Sequence, residues 1–468
     1  MLDLGLRLYR FWQRYRACFQ TRTRDISEQA YTYLRAQLTM DAQRNFKNMD
    51  RRLNGGDGQG VQHFMSNSPW PKAAVFDQIQ SELSTLPTLA HGSVLILDES
   101  ADEKAGTHNV GAARQYNGRL GKVDICRVET CLTYANVRAG LWTMVDGELY
   151  LPEEWFGEAF SERRQTLGVP DDRVFQSKTE LGMQMVARAQ ANGLPFERLA
   201  CDAFYGKDRQ FRADLQAKNV RYAADVPADT RVYLREPRVG VPRKRQRRGR
   251  PPTRWKVLSL QTAHEVRTLA RSTRLVWQQV RVRPIERGWL EANFAVQRVW
   301  TITDAGQVRA EWLVIRREAD SDSAYTLLND PADTPAPALI EASCCRYFTE
   351  RLFEDGKTGI GWDEFQAQKY RASEHHLALT ALALWFVAET KLGWAQTYAR
   401  DPKLTRQFEL DVLPALSTAN VRELLKAVLP VPHLTPKQAI HVVVQMLVDR
   451  ARSTHSRLKA QSDHVAPT

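Results

Sequence analysis

Cysteine is scarce and unpatterned in this chain of 468 residues. The six cysteines (Cys18, Cys126, Cys131, Cys201, Cys344, Cys345) form no C-x-x-C pair. That argues against a disulfide framework and a zinc ribbon, and it fits a reducing compartment. Long apolar runs are lacking too. The longest lies within Leu377–Val387, too short to span a bilayer and suited to a buried helix. The opening MLDLGLRLYRFWQRYR lacks the long apolar core and small-residue cleavage site of a secretory leader, so the expected location is the cytoplasm, with no membrane partner. No internal repeat of fixed period is visible. With 43% hydrophobic and 26% charged residues the chain is neither disordered nor fibrous, and its length predicts about three domains.

Positive charge is in excess and concentrated. The formal net charge is +12. Between Arg235 and Lys256 stand ten Lys/Arg against one acid, Glu236, so this segment holds nine of the twelve net charges. Its centre is Arg243, Lys244, Arg245, Arg247, Arg248 and Arg250. A basic loop of this density predicts contact with a polyanion, nucleic acid first. A solvated loop is the plainer alternative. Arg248-Gly249-Arg250-Pro251 has the slim form that enters a narrow minor groove.

Residues 1–85 read as helical, broken at Gly55–Gly58 and again at Ser68-Pro69-Trp70-Pro71, with Pro71 opening the next helix. They suit a helix-turn-helix-like DNA-binding module or a plain helical cap. Residues 86–225 change period. Strands are expected at Ser93–Leu97, Val110–Tyr116, Ile125–Tyr134, Leu141–Tyr150 and Arg198–Cys201, and helices at Glu153–Arg164 and Thr179–Asn192. That alternation predicts an α/β domain with chemistry at the carboxyl edge of its sheet. Residues 226–335 read as a β-rich insertion carrying the basic loop and five of the twelve tryptophans (Trp255, Trp277, Trp289, Trp300, Trp312). Helix returns in 336–400, over Ala342–Asp355 and Tyr370–Thr390. Residues 401–468 read as a helical region with a disordered polar tail.

Three carboxylates stand out. Asp98 and Asp202 each end an apolar strand. Glu350 lies on a helix, CRYFTERLFEDGK, in which Arg346, Glu350 and Glu354 follow at intervals of four. On a regular helix Lys357, seven residues after Glu350, shares its face. Taken alone, this helix is a surface face with i,i+4 ion pairs. Together with two strand-end aspartates and a basic surface, it fits phosphodiester chemistry. Mg²⁺, or Mn²⁺ in its place, takes oxygen ligands, and a metal pair can clamp the attacking and leaving oxygens of an in-line displacement.

The segment VLILDESADEKAGTHNVGAARQYNGRLGKVDICRVETCLTYAN (94–136) resembles the DDE transposases of bacterial insertion sequences, in the insertion sequence 701 branch related to the insertion sequence 4 group. Lys104, Gly106, His108, Arg114, Gln115, Tyr116 and Gly118 fall on that family's Lys-x-Gly-x-His and Arg-Gln-Tyr-x-Gly blocks. GVQHFMSN (60–67), LYLPEEW (149–155) and 168–206 are similar to the family as well. The resemblance implies that Asp98, Asp202 and Glu350 are the catalytic, metal-holding triad. Arg346-x3-Glu350-x6-Lys357 follows the family signature, with Ser343 where a tyrosine would stand. Glu354 is the alternative third acid.

The resemblance further implies a ribonuclease H-like core interrupted by the β-rich insertion. Arg346 and Lys357 would contact DNA. The implied reaction cuts terminal inverted-repeat DNA and joins the freed 3′-OH to target DNA, within a homodimeric synaptic complex. Two rivals are a nuclease without strand transfer and a DNA-binding regulator derived from a transposase. An insertion tryptophan (Trp255, Trp289 or Trp300) is a candidate for stacking on a flipped base. His108 suits either a place near the metals or a buried hydrogen bond. His375 and His376 read as structural.

Overall fold

The computed structural model describes residues 3–429 apart from 105, 119, 243–252, 286–287 and 318–322, with isolated helical positions between 437 and 459. The chain opens with five helices: α1 (Leu4–Tyr15), α2 (Ser27–Thr39), α3 (Phe46–Asn54), α4 (Gln59–Ser66) and α5 (Lys72–Ser84). Pro71 stands just outside α5, as its cap residue rather than its first turn. Strands β1 (Ser93–Glu103), β2 (Ala113–Asn117), β3 (Lys122–Asn136) and β4 (Leu141–Tyr150) follow, then α6 (Ser161–Leu167) and α7 (Lys178–Ala191). The helix expected over Glu153–Arg164 is instead two 3₁₀ turns, Glu153–Phe156 and Glu158–Phe160, ahead of α6. Gly157, in an extended conformation, separates the two turns.

Next come β5 (Arg198–Cys201), α8 (Ala203–Gly206), α9 (Arg209–Ala217) and β6 (Tyr222–Asp225). Short strands β7 (Arg231–Val232), β8 (Val239–Gly240), β9 (Lys256–Val257) and β10 (His264–Glu265) precede α10 (Val266–Ala270). Long strands β11 (Trp277–Ile285), β12 (Gly288–Ile302), β13 (Val308–Arg317) and β14 (Ala324–Leu328) lead to α11 (Ala336–Ser343), α12 (Tyr347–Glu354), α13 (Tyr370–Thr397), α14 (Pro402–Phe408) and α15 (Thr418–Val428).

Among the described residues, ten strands form one mixed sheet in the order β11-β12-β13-β14-β6-β5-β1-β3-β2, with β4 also paired to β3. β1, β5 and β6 run parallel, and the other pairings are antiparallel. Residues 226–335 are β-rich, and their long strands extend the central sheet: β14 pairs with β6 through Leu328↔Ala223 and Thr326↔Asp225.

Both faces of β1 are covered, which is why its sequence is an unbroken apolar run rather than an alternation. Leu95 and Leu97 pack with the N-terminal helices, α7 and α13. Val94 and Ile96 pack with Ala200, Ala223 and the α11 residues Leu339 and Ile340. α13 is apolar on every side and buried against β4, α5 and α2. By length and composition it could cross a membrane, and 78% of its most apolar window is buried within the protein.

The helix expected over Ala342–Asp355 is divided. α11 ends at Ser343, α12 begins at Tyr347, and a π-helical turn occupies Asp355–Ile360. Gly356 and Gly359 weaken regular helix here. Gly356 lies against the Trp362 ring, where a Cβ would come within 2.9 Å of the ring. The shared α-helical face expected for Glu350 and Lys357 is therefore lost, because the wider turn changes the angle between them.

Candidate active site

Strand register brings the first two acids together. Leu97 pairs with Cys201 and Cys201 with Ala224, so Asp98, Asp202 and Asp225 each follow an equivalent position on neighbouring parallel strands. Side chains alternate along a strand, and these three stand two residues after Ile96, Ala200 and Ala223, all in one apolar cluster. The three aspartates thus share the sheet face on which α11 lies. Asp202 is extended and caps the short helix α8, its Oδ1 accepting from the backbone N–H of Phe204 (3.0 Å) and Tyr205 (3.3 Å).

Asp98 Oδ1 accepts from Glu99 N at 2.8 Å, and its Oδ2 accepts from Arg346 Nη2 at 3.1 Å. Burial pushes the Asp98 carboxyl up to about 6, opposed by Arg346 and reinforced by the neighbouring Asp202. Asp225 Oδ2 accepts from Arg346 Nη1 at 3.0 Å and its Oδ1 from the Thr326 hydroxyl at 2.6 Å. One guanidinium therefore bridges two carboxylates. Burial works against its charge, but Asp98 and Asp225 more than offset this and hold Arg346 above its usual range.

Glu350 is exposed, one turn beyond Arg346 on the same face of α12. Its neighbour Thr349 is buried, with its hydroxyl 2.9 Å from that of Thr133. Among the described residues no three His, Cys, Asp or Glu side chains converge as a metal cluster, so Glu350 is not gathered with Asp98 and Asp202. Glu354 is exposed and paired with Arg351. Lys357 Nζ donates to the Ala101 carbonyl at 3.0 Å, which sets it beside β1. His108 is exposed. His375 sits between the carbonyls of Met65 and Trp70 (2.9 Å each) and His376 between the Tyr33 hydroxyl (2.7 Å) and the Trp362 carbonyl (2.9 Å), in structural positions.

The six central basic-loop residues, Arg243, Lys244, Arg245, Arg247, Arg248 and Arg250, lie outside the described residues, as does the Trp289 side chain. The paired strands β8 and β9 flank that loop, with Arg235, Arg238, Arg254 and Lys256 exposed around them. Trp255 donates from Nε1 to the Asp304 carbonyl at 2.9 Å, and the Trp300 backbone bridges to Tyr233.

Two residues escaped the sequence reading. Asp225 ends Tyr222-Ala223-Ala224, the same pattern of an apolar strand closing on an acid that marked Asp98 and Asp202. Phe204, exposed and two residues past Asp202, has Lys178 Nζ and Lys207 Nζ each 5.1 Å from its ring centroid.

The Asp98/Asp202 pair fits a divalent cation. It offers hard oxygen donors where the parallel pairing of β1 with β5 stops, and burial together with Asp202 raises Asp98 in spite of Arg346.

Residues 14–288 match the family described as DDE superfamily endonuclease. That span contains Asp98, Asp202 and Asp225 and ends before α12. A probable transposase for insertion sequence element IS701 from Microchaete diplosiphon is 26% identical over 210 residues, 44% of this chain and 51% of that protein. The alignment thus spans about half the length of that curated relative.

Proposed function

Since this chain belongs to the DDE superfamily endonucleases, we propose that it is a DNA transposase of the insertion sequence 701 branch, cutting terminal inverted-repeat DNA and joining the freed 3′-OH to target DNA. The observation that carries this reading is the placing of Asp98 and Asp202 side by side where the parallel pairing of β1 with β5 stops, with Asp98 raised by burial and by its neighbour. We take the core as ribonuclease H-like, formed by 86–225 and 336–400 around the β-rich insertion 226–335. Residues 1–85 serve as a helical DNA-binding region and 401–468 as a helical C-terminal region. The enzyme acts in the cytoplasm on nucleoid DNA, as a homodimer in the synaptic complex.

Asp98 and Asp202 hold Mg²⁺, or Mn²⁺ in its place, with Glu350 as third acid and Glu354 as its alternative. A divalent ion there supplies Lewis-acid charge to the scissile phosphate. In the first step a water oxygen bonds to phosphorus and the P–O3′ bond breaks, leaving a 3′-OH on the transposon end and a 5′-phosphate on the flank. In the second, that 3′-OH attacks a target phosphodiester and displaces the target's own 3′-oxygen. Arg346 and Lys357 present positive charge to backbone phosphates beside the acids. The basic loop around Arg243–Arg250 holds the DNA backbone as well. Phe204, bracketed by Lys178 and Lys207, offers a base a stacking surface flanked by phosphate partners.

The test is cleavage and joining of a labelled transposon-end duplex with Mg²⁺ or Mn²⁺. Cleaved and joined products from wild type, both lost in Asp98→Asn, Asp202→Asn and Glu350→Gln with DNA binding kept, support the reading. Loss in Glu354→Gln but not Glu350→Gln reassigns the third acid. Cleavage without joining indicates a nuclease, and binding without cleavage a regulator.

A further inference from the structure

The Arg346 bridge makes a contact that competes with metal binding at the aspartate pair. Arg346 divides its two terminal nitrogens between carboxylates on different strands, Nη2 to Asp98 at 3.1 Å and Nη1 to Asp225 at 3.0 Å. The three side chains are largely shielded, with 28% exposure for Arg346, 16% for Asp98 and 24% for Asp225. The remaining guanidinium nitrogen, Nε, is buried without an acceptor. Asp225 is itself fixed. Its second oxygen takes the Thr326 hydroxyl, and its backbone pairs with Thr326 of β14, one residue past the last pair with β5.

A cation that takes Asp98 Oδ2 competes with the guanidinium for that oxygen. A shielded arginine stripped of every carboxylate is costly, whereas one that keeps a partner is not. Asp225 supplies that partner. Without it, the whole guanidinium charge would turn to Asp98, where a two-pronged pairing is the stronger geometry.

We propose that Asp225 is a positioning residue: it shares Arg346 with Asp98, keeps that pairing single-pronged, and lets the arginine yield Asp98 to a divalent cation without losing its carboxylate partner. The inference rests on the reading of Asp98 and Asp202 as the cation site.

Mn²⁺ titration calorimetry on the full chain tests it, using wild type, Asp225→Asn, Arg346→Gln and the double variant, with Asp98→Asn as reference. Removing Arg346 should tighten Mn²⁺ binding by at least about tenfold, a floor below the Coulomb effect of a unit charge a few ångströms away at an effective dielectric near 20. Removing Asp225 should weaken it by about tenfold when Arg346 is present. With Gln at 346 the loss should be at least about threefold smaller, beyond the scatter expected of independent sites.

Equal losses in both backgrounds would overturn the proposal and make Asp225 a direct ligand or a plain field charge. An Arg346→Gln protein that binds Mn²⁺ no more tightly than wild type would also overturn it. That measurement decides even where Asp225→Asn does not fold. Wild type that binds no Mn²⁺, or binds it undiminished in Asp98→Asn, would sink the cation-site reading itself. Wild-type binding lost in Asp98→Asn, with no difference between the two Asp225 losses, sinks only the role of Asp225.

Discussion

Two regions of this molecule gather three carboxylates each, and they balance them differently. In the interior, Asp146 and Glu148 on β4 and Glu374 on α13 meet Lys72 and Arg188. Lys72 bonds Glu148 at 2.7 Å and contacts Glu374, while Arg188 grips both oxygens of Asp146 at 2.8 and 2.9 Å. Where the parallel pairing of β1, β5 and β6 stops, half-buried Asp98 and Asp225 share Arg346, with Asp202 beside Asp98. The interior cluster ties α5, α7 and α13 to β4, and its contacts are specific enough to act as scaffold. The second group keeps negative charge in surplus on rigid elements, and that surplus suits a cation. Burial raises one acid in each place, Asp146 to about 7 and Asp98 to about 6, so a raised acid alone does not identify a site. The ratio of acids to bases is what separates the two places.

The largest separation between the two regions should come from isosteric neutralisation. Asp98→Asn or Asp202→Asn should lower transposon-end cleavage by roughly three orders of magnitude or more, read on labelled duplex. Asp146→Asn should leave a folded protein that still cuts. An Asp146→Asn protein as inactive as Asp98→Asn would erase the distinction.

Stability should reverse the order. Lys72→Met leaves Glu148 and Glu374 buried without their lysine and should cost about 3–5 kcal/mol in urea unfolding. An unchanged unfolding midpoint would mean that the interior cluster is not scaffold.

A subtler contrast lies in pH. Both raised acids hold a proton more tightly folded than unfolded, where the carboxyl sits near about 3.9. Each therefore favours the folded state below about pH 4, and that advantage fades as pH rises through about 6 for Asp98 and about 7 for Asp146. Urea unfolding from pH 4 to 8 should show wild type losing stability relative to Asp98→Asn and Asp146→Asn over those windows. Mn²⁺ should abolish the Asp98 difference and leave the Asp146 one, and loss of both would place the ion elsewhere.

The exposed Arg351–Glu354 pair gives the smallest effect. Arg351→Ala should change stability by less than about 1 kcal/mol, and a larger loss would mean that α12 depends on this pair.

Asp98 and Asp202 stood out because each closes an apolar run, although β1 continues past Asp98 to Glu103. Asp225 carries the same mark, but Tyr-Ala-Ala is too short and too weakly apolar to stand out. The helical character of the start and the apolar α13 followed from composition and period, but the division of the start into five helices did not. The division of the Arg346–Lys357 segment did not, since its π turn depends on Gly356 meeting Trp362, a contact that local propensity does not encode. Nor could periodicity show that β14 pairs with β6, a hydrogen-bonding choice between residues about a hundred positions apart.

The burial of α13 has a consequence for synthesis. Tyr33 and Gln37 of α2 reach His376 and Thr380, Lys72 of α5 reaches Glu374, and Trp385 donates to Glu82. The first five helices thus complete their core only against a helix translated some three hundred residues later. At ribosomal rates of about 5–20 residues per second, that interval is roughly 15–60 s. During it the nascent N-terminus displays apolar faces that chaperones can bind, and a chain cut short before α13 has nothing to close them.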